Sequence, residues 1–219
     1  MKILILDYKC GNIGCIKNIF SFIGTDVSFK NISLFEEIDP NEFDIIVLPG
    51  VGNFQHASKY LNENLNIDRF KNWLFCNKKI ISICLGFQLL FIESEESEKT
   101  NKGIGIIPAK ITSLSNTDKL SLNIGWSNSK YISKNNLSQN LKSTLDNHYF
   151  YHMHSYGFEY KNLEDQNIFD WYTLSEHLHS NKKYISSFKY KHFYGFQFHP
   201  EKSGENGLKL LKTIINDDS

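Results

Sequence analysis

The sequence predicts an α/β fold: a mostly parallel sheet flanked by helices, extended by a mixed, partly antiparallel sheet region. Two observations carry this expectation. In the first half, short continuous apolar runs alternate with stretches of helical spacing, the pattern of strands covered on both faces by crossover helices. From about residue 104 to 187 the chain turns rich in Tyr, Ser, Asn and Thr, and strand-like pieces are parted by polar loops.

The elements follow in order. Residues 3–6 are a short apolar strand. Residues 11–24 read as a helix, with Ile13, Ile16, Phe20 and Ile23 at near-helical spacing. Residues 26–29 form a second strand. Residues 44–48 are a continuous apolar strand that feeds the tight Pro49-Gly50-Val51-Gly52 loop. Residues 66–77 read as a helix, 79–83 as another buried strand, and 86–95 as the helix after it. Residues 128–147 and 164–183 look like surface insertions. Residues 195–198 return to a strand, and 207–215 close with a short amphipathic helix. There are no repeats, and residues 1–219 read as a single domain with its mixed-sheet half inserted before His199.

Bulk properties narrow the function. With 219 residues and 41% hydrophobic content, the chain can bury a sizeable core. Lys plus Arg and Asp plus Glu both number 24, so the net charge is zero, and neither nucleic acid nor an anionic membrane is indicated as partner. No apolar run approaches the roughly 20 residues of a membrane span. The opening residues are too short for a signal peptide and lack a cleavage region. Cys10, Cys15, Cys76 and Cys84 show no C-x-x-C pairing, so neither zinc nor a disulfide framework is expected, and a cytoplasmic location with reduced thiols is the natural reading. No cofactor is expected: Gly11-Asn12-Ile13-Gly14 lacks the full pattern of a dinucleotide or ATP loop.

Two segments carry chemistry. Cys84 follows the 79–83 strand. A buried Cys there is ordinarily a small core residue. Gly86 and the helix-like Phe87-Gln88-Leu89-Leu90 set it apart, because they place the thiol at a sharp strand-to-helix corner, where helix N–H groups favour thiolate. His199-Pro200-Glu201 is the second segment. In extended chain, residues two apart project to one side, so a carboxylate can orient an imidazole. The bland alternative is a surface turn with solvated charges, but the apolar Phe196-Gln197-Phe198 delivers the pair to a strand end. Cys84, His199 and Glu201 thus supply a nucleophile, a base and an orienting group. Backbone N–H groups of Val51 or Gly52, together with that of Leu85, suit an oxyanion hole. Among His148, His152 and His154, which alternate with tyrosines, a half-polar sheet face is the simpler reading than a metal site. The acidic run at 93–98 reads as a solvated helix end.

Pro49-Gly50-Val51-Gly52, Cys84-Leu85-Gly86-Phe87-Gln88 and His199-Pro200-Glu201 resemble, in order, the motifs of class I (triad) glutamine amidotransferases. Gly11-Asn12-Ile13, Ile124-Gly125-Trp126 and His154-Ser155-Tyr156 extend the likeness to the glutaminase subunits of imidazole glycerol phosphate synthases, nearly end to end. The resemblance implies a flavodoxin-like glutamine amidotransferase fold and a substrate, glutamine, attacked at its side-chain amide by Cys84. It implies that Gly50, Gln88, His154, Ser155 and Tyr156 help to bind glutamine. It implies a (β/α)₈-barrel cyclase partner in a heterodimer that receives the ammonia, with Asn12, Trp126, Tyr151 and Lys202 near the interface. Ser82 stands where the family usually has glycine, and it is still small. The segment from Leu122 to Ser127 departs from the family pattern next to the partner, and this motivates a rival: a paralogous glutaminase that feeds a sugar-modifying partner in surface-polysaccharide synthesis. A catalytically silent interaction subunit and a cysteine peptidase are further rivals. An intact triad argues against the first, and Gln88 with the Gly50-Val51-Gly52 loop against the second.

Overall fold

The computed structural model describes residues 1–97, 102–115, 122–133, 139–163 and 168–217. The chain runs β1 (Lys2–Asp7), α1 (Ile13–Phe22), β2 (Asp26–Asn31), β3 (Ile45–Leu48), α2 (Phe54–Asn64), α3 (Ile67–Cys76), β4 (Ile80–Ile83), α4 (Leu85–Leu89) and β5 (Phe91–Ser94). It continues through β6 (Ile107–Ser113), β7 (Asn123–Ser133), α5 (Gln139–Leu145), β8 (His148–His154) and β9 (Tyr156–Glu159). It ends with β10 (Trp171–Glu176), β11 (Lys183–Tyr190), β12 (Phe193–Phe196) and α6 (Gly204–Ile215).

The sheet order is β2-β1-β3-β4-β12-β11-β10-β7-β8. The first five strands are mutually parallel. From β11 onward the pairing is antiparallel. A side branch, β5-β6-β9, joins at β11. This is the expected parallel half with a mixed half attached. Strand alternation splits the parallel half between two cores. Leu4, Leu6 and Leu48 face α2 and α3 residues such as Phe54, Phe70 and Trp73. Ile3, Ile5, Val47, Ile81 and Ile83 face Ile16 and Phe20 of α1 and Leu210, Leu211 and Ile214 of α6. Among the described residues, no helix is long and apolar enough to cross a membrane.

Five expectations need correction. The helix expected over 86–95 stops at Leu89, and Phe91–Ser94 instead pairs with β6 in parallel. Apolar residues surround the whole Ile83–Phe91 stretch, so no periodicity marks where helix gives way to strand. The acidic run is therefore not a helix end. Glu93 and Glu95 ion-pair with Lys110 across the strands, and Glu98 lies outside the described residues. The stretches 128–147 and 164–183 are not surface insertions throughout, because 128–133 belongs to β7 and Trp171–Glu176 is the sheet-interior strand β10. Their polar composition misled: the Thr173 hydroxyl is fully buried, bonded to those of Ser186 and Ser187 at 2.8 and 2.6 Å. The strand expected over 195–198 is Phe193–Phe196, and residues 200–202 form a 3₁₀ turn, so His199 and Glu201 are brought together by a turn, not by extended chain. The final helix begins at Gly204, three residues earlier than expected.

One helix carried no signal. α2 presents only a narrow stripe, Phe54, Ala57, Ser58 and Leu61, to the core. Its start is set by Asn53, whose side chain accepts from the His56 N–H at 3.1 Å.

Candidate active site

The topology assembles the site. β3, β4 and β12 are adjacent and parallel, so their C-terminal ends emerge side by side, where ligands of open α/β sheets gather. β3 delivers the Gly50-Val51-Gly52 loop, β4 delivers Cys84, and β12 delivers His199. Two residues beyond β12's last strand residue, Phe198 stacks on Phe150 of β8 at 4.2 Å. The His199 N–H donates to the Tyr151 carbonyl at 2.9 Å, which fixes the turn against β8.

Cys84 sits in the left-handed region at φ 48°, a conformation a non-glycine residue holds only when its surroundings impose it. Here the Cys84 N–H donates to the Phe196 carbonyl at 2.7 Å, and the next strand packs closely. Gly50 and Gly86 permit that approach. A Cβ on Gly50 would lie 2.5 Å from the Gly86 nitrogen, and a Cβ on Gly86 would run into the Leu48 carbonyl. Ser82, in the strand below, is small enough for the corner, and its hydroxyl donates to the Tyr194 carbonyl. α4 has only five residues, and the amides of Cys84 and Leu85 already have acceptors, so the helix terminus contributes less to the thiol than the sequence suggested.

His199 is fully buried, and its Nδ1 lies 2.8 Å from Glu201 Oε1, also buried. Nε2 has no aligned hydrogen bond and is the nitrogen left to interact with Cys84. Burial works against charge on this ring, but the Cys84 sulfur and the Glu201 carboxylate outweigh it, and the pKa is pushed up to about 10. The surroundings therefore favour an imidazolium held between the Cys84 sulfur and the Glu201 carboxylate.

A cleft of about 260 Å³ opens at Cys84, lined by Val51, Gly52, Leu85, Gln88, Glu96, Leu122, Met153, His154, Ser155 and Tyr156 among others. Among the described residues, two larger hollows elsewhere hold neither a cysteine nor a histidine. The expected glutamine-binding residues are thus gathered in one place, with Gly50 just behind. The three expected oxyanion donors are present but not aimed at one point: the Leu85 N–H donates to the Gly50 carbonyl at 3.4 Å. Because the Gly50–Val51 peptide is trans, its Val51 N–H points away from Leu85.

His154 enters this wall differently from expectation. The Tyr156 carbonyl can only accept, so His154 Nδ1, 2.9 Å away, carries the proton. Nε2 is met by the Asn123 amide at 3.3 Å and by His152 Nδ1 at 3.2 Å. Tyr184 completes the network behind them. Both ring nitrogens of His154 are engaged within the protein, leaving the ring as wall. Burial depresses both imidazoles, His152 well below its usual value and His154 to about 3, so both are neutral.

Sequence reasoning missed two residues. Glu96 turns into the cleft, where its carboxylate accepts from the Asn53 amide at 3.0 Å and the Phe54 N–H at 2.9 Å. Nothing in the acidic run distinguishes it. Gln197 is fully buried, and its Nε2 lies 3.8 Å from the Cys84 sulfur. An amide between two phenylalanines in an apolar strand was a usable signal.

The expected interface residues share one rim. β7 and β8 pair Trp126 with Tyr151, whose rings meet edge to face at 6.0 Å. Leu122, Ile124, Trp126 and Tyr149 are exposed beside them, and Leu122 also lines the cleft. Lys202 is exposed in the turn after His199, and Asn12 immediately precedes α1, which packs beside that turn.

Comparison with known proteins agrees with this architecture. A protein of Methanococcus maripaludis named "Imidazole glycerol phosphate synthase subunit HisH 2" is 35% identical over 218 residues, 97% of this chain and 98% of that one. A Sulfurimonas denitrificans protein named as subunit HisH of the same synthase is 32% identical, covering 97% and 96%. The solved structure of PurLQS from Thermotoga maritima shares the fold, with a TM-score of 0.68 at 16% identity over 98% of this chain and 97% of that one. The family described as "Glutamine amidotransferase class-I" matches residues 4–216, which takes in every strand end that builds the cleft. With the nucleophile corner, the His-Glu turn and the cleft all inside that span, the chain belongs to the class-I glutamine amidotransferase family.

Proposed function

We propose that the chain is the glutaminase subunit of an imidazole glycerol phosphate synthase, hydrolysing glutamine to glutamate and ammonia and passing the ammonia to a cyclase subunit in histidine biosynthesis. The observation that carries this is the junction of β4 and β12, which sets Cys84 beside a His199 already paired with Glu201 at 2.8 Å. Full-length similarity to subunits bearing that name supports the choice of synthase.

In this reading the Cys84 thiolate attacks the side-chain amide carbon of glutamine, and the carbonyl oxygen becomes an oxyanion held by N–H groups of Leu85 and Val51 or Gly52. The His199 imidazolium gives its proton to the departing nitrogen, which leaves as ammonia. Neutral His199 then takes a proton from water, whose oxygen attacks the thioester and releases glutamate and the thiolate. Glu201 holds the ring through Nδ1. Gln88 has both amide hydrogens engaged, so its Oε1 is the atom offered to substrate. Glu96 pairs with the α-ammonium group of glutamine. The apolar rim of exposed Leu122, Ile124 and Trp126 and half-buried Tyr151 receives a (β/α)₈-barrel cyclase, with Asn12 and Lys202 as polar contacts, and ammonia crosses from the cleft into it. An aromatic-rich patch at the mouth of a reactive cleft suits a partner surface.

The test measures product formation by the cyclase with glutamine as nitrogen source. The chain should support it, and Cys84→Ala should abolish it while ammonium salts still serve. If Cys84 is labelled by a glutamine-like electrophile but no cyclase is served, the chain is the glutaminase of a different synthase.

A further inference from the structure

Around the sulfur of Cys84 the neighbouring groups divide by what they can offer. The Met153 carbonyl, 3.8 Å away, can accept a proton from a neutral thiol but gives nothing to a thiolate. The backbone amides of Cys84 and Leu85 are directed at the Phe196 and Gly50 carbonyls. The side-chain amide of Gln197 is different. It lies 3.8 Å from the sulfur, fully buried, with its backbone N–H anchored to the Ser186 carbonyl at 2.8 Å.

Which end of that amide faces the sulfur follows from a chain of contacts that begins at a backbone atom. The Tyr156 carbonyl only accepts, so the Gln88 atom 2.9 Å from it is the nitrogen. The same Gln88 nitrogen, carrying its second hydrogen, lies 3.2 Å from Gln197, which must therefore present its oxygen. The other end of Gln197, facing Cys84, is then NH₂. His154 Nδ1 donates to the same Tyr156 carbonyl, which holds the origin of the relay in place.

We infer that Gln197 is a positioning residue for the nucleophile: its amide, polarised by the relay Tyr156 carbonyl–Gln88–Gln197, donates a hydrogen bond to the Cys84 sulfur and favours its thiolate form. A donor aimed at sulfur adds little to a neutral thiol and much more to an anion, since hydrogen bonds to charged groups are the stronger ones. The inference rests on the reading of Cys84 as nucleophile.

The experiment is the pH dependence of Cys84 alkylation by iodoacetamide, followed by peptide mapping against Cys10, Cys15 and Cys76, in the full chain. Gln197→Met keeps the volume and removes the donor. It should move the midpoint for Cys84 up by about one pH unit and slow neutral-pH labelling about tenfold. Gln197→Glu, which places an anion against the sulfur, should move it further. Gln88→Met, which leaves Gln197 intact but frees its amide to turn, should shift the midpoint in the same direction by less. In glutamine hydrolysis Gln197→Met should lower kcat and leave KM nearly unchanged. Folded variants whose Cys84 titrates like the wild type would overturn the inference, and Gln88→Met decides it should both Gln197 variants fail to fold. Wild-type Cys84 labelled no faster than the exposed Cys15 would instead remove the nucleophile reading, and this inference with it.

Discussion

The contact between the Leu85 N–H and the Gly50 carbonyl predicts that the isolated chain is a poor glutaminase awaiting its partner. The perturbation is addition of the cyclase. A single event, rotation of the Gly50–Val51 peptide, does two things at once. It withdraws the carbonyl that occupies Leu85, and it swings the Val51 N–H toward the place where the oxyanion forms. One oxyanion donor contributes about 10²–10³ in kcat, or about 2.7–4 kcal/mol. Stimulation of at least about 10²-fold is therefore expected, and more if both donors engage. The resisting contact is long, 3.4 Å, and a neutral hydrogen bond is worth only about 1 kcal/mol net, so docking of a partner has ample energy to reverse it. The assay is glutamate release from saturating glutamine, with and without partner. Iodoacetamide labelling of Cys84 serves as the control, because that reaction passes through no oxyanion and should proceed in the isolated chain. An isolated chain whose kcat lies within tenfold of the complex would refute the argument.

Acid should destabilise the protein through the His152 and His154 pair. Both have pKa values lowered by burial, His154 to about 3, so below about pH 6.5 the unfolded chain binds protons that the folded chain refuses. Stability then falls with decreasing pH, by about 1.4 kcal/mol per unit for each histidine, down to about pH 3 for His154. Urea midpoints between pH 6 and 4 read this slope. His152→Phe, which can keep the edge-to-face contact with Phe198, should roughly halve it, and an unchanged slope would contradict the assignment. Glu96→Gln should raise KM for glutamine about tenfold, corresponding to about 1.4 kcal/mol of lost ground-state binding, with kcat within a few fold. A fall in kcat at constant KM would mean that Glu96 acts on the chemistry and not on the substrate's ammonium group.

Much of this protein was legible in its sequence because the signals are local. Short runs such as Ile45–Leu48 and Ile80–Ile83, apolar except for Ser82 and bounded by turn signals, read as strands buried on both faces. Cys84 before Gly86, and His199 two residues from Glu201, announce a nucleophile corner and an oriented base without reference to anything distant. What the chain could not state alone was which strand ends become neighbours. β12 lies next to β4 although 109 residues intervene between Ile83 and Phe193, because the antiparallel half is threaded before the last parallel strand. That placement turns two separated motifs into one site. Tertiary packing also decided the direction of each polar group. Glu96 left a run of exposed carboxylates for the cleft because the Asn53 amide and Phe54 N–H meet it there, and the Gly50 carbonyl settled on Leu85 because the two loops abut. Residue type fixes what a group can donate or accept, whereas the partner it meets across the fold fixes whether that capacity is free for substrate.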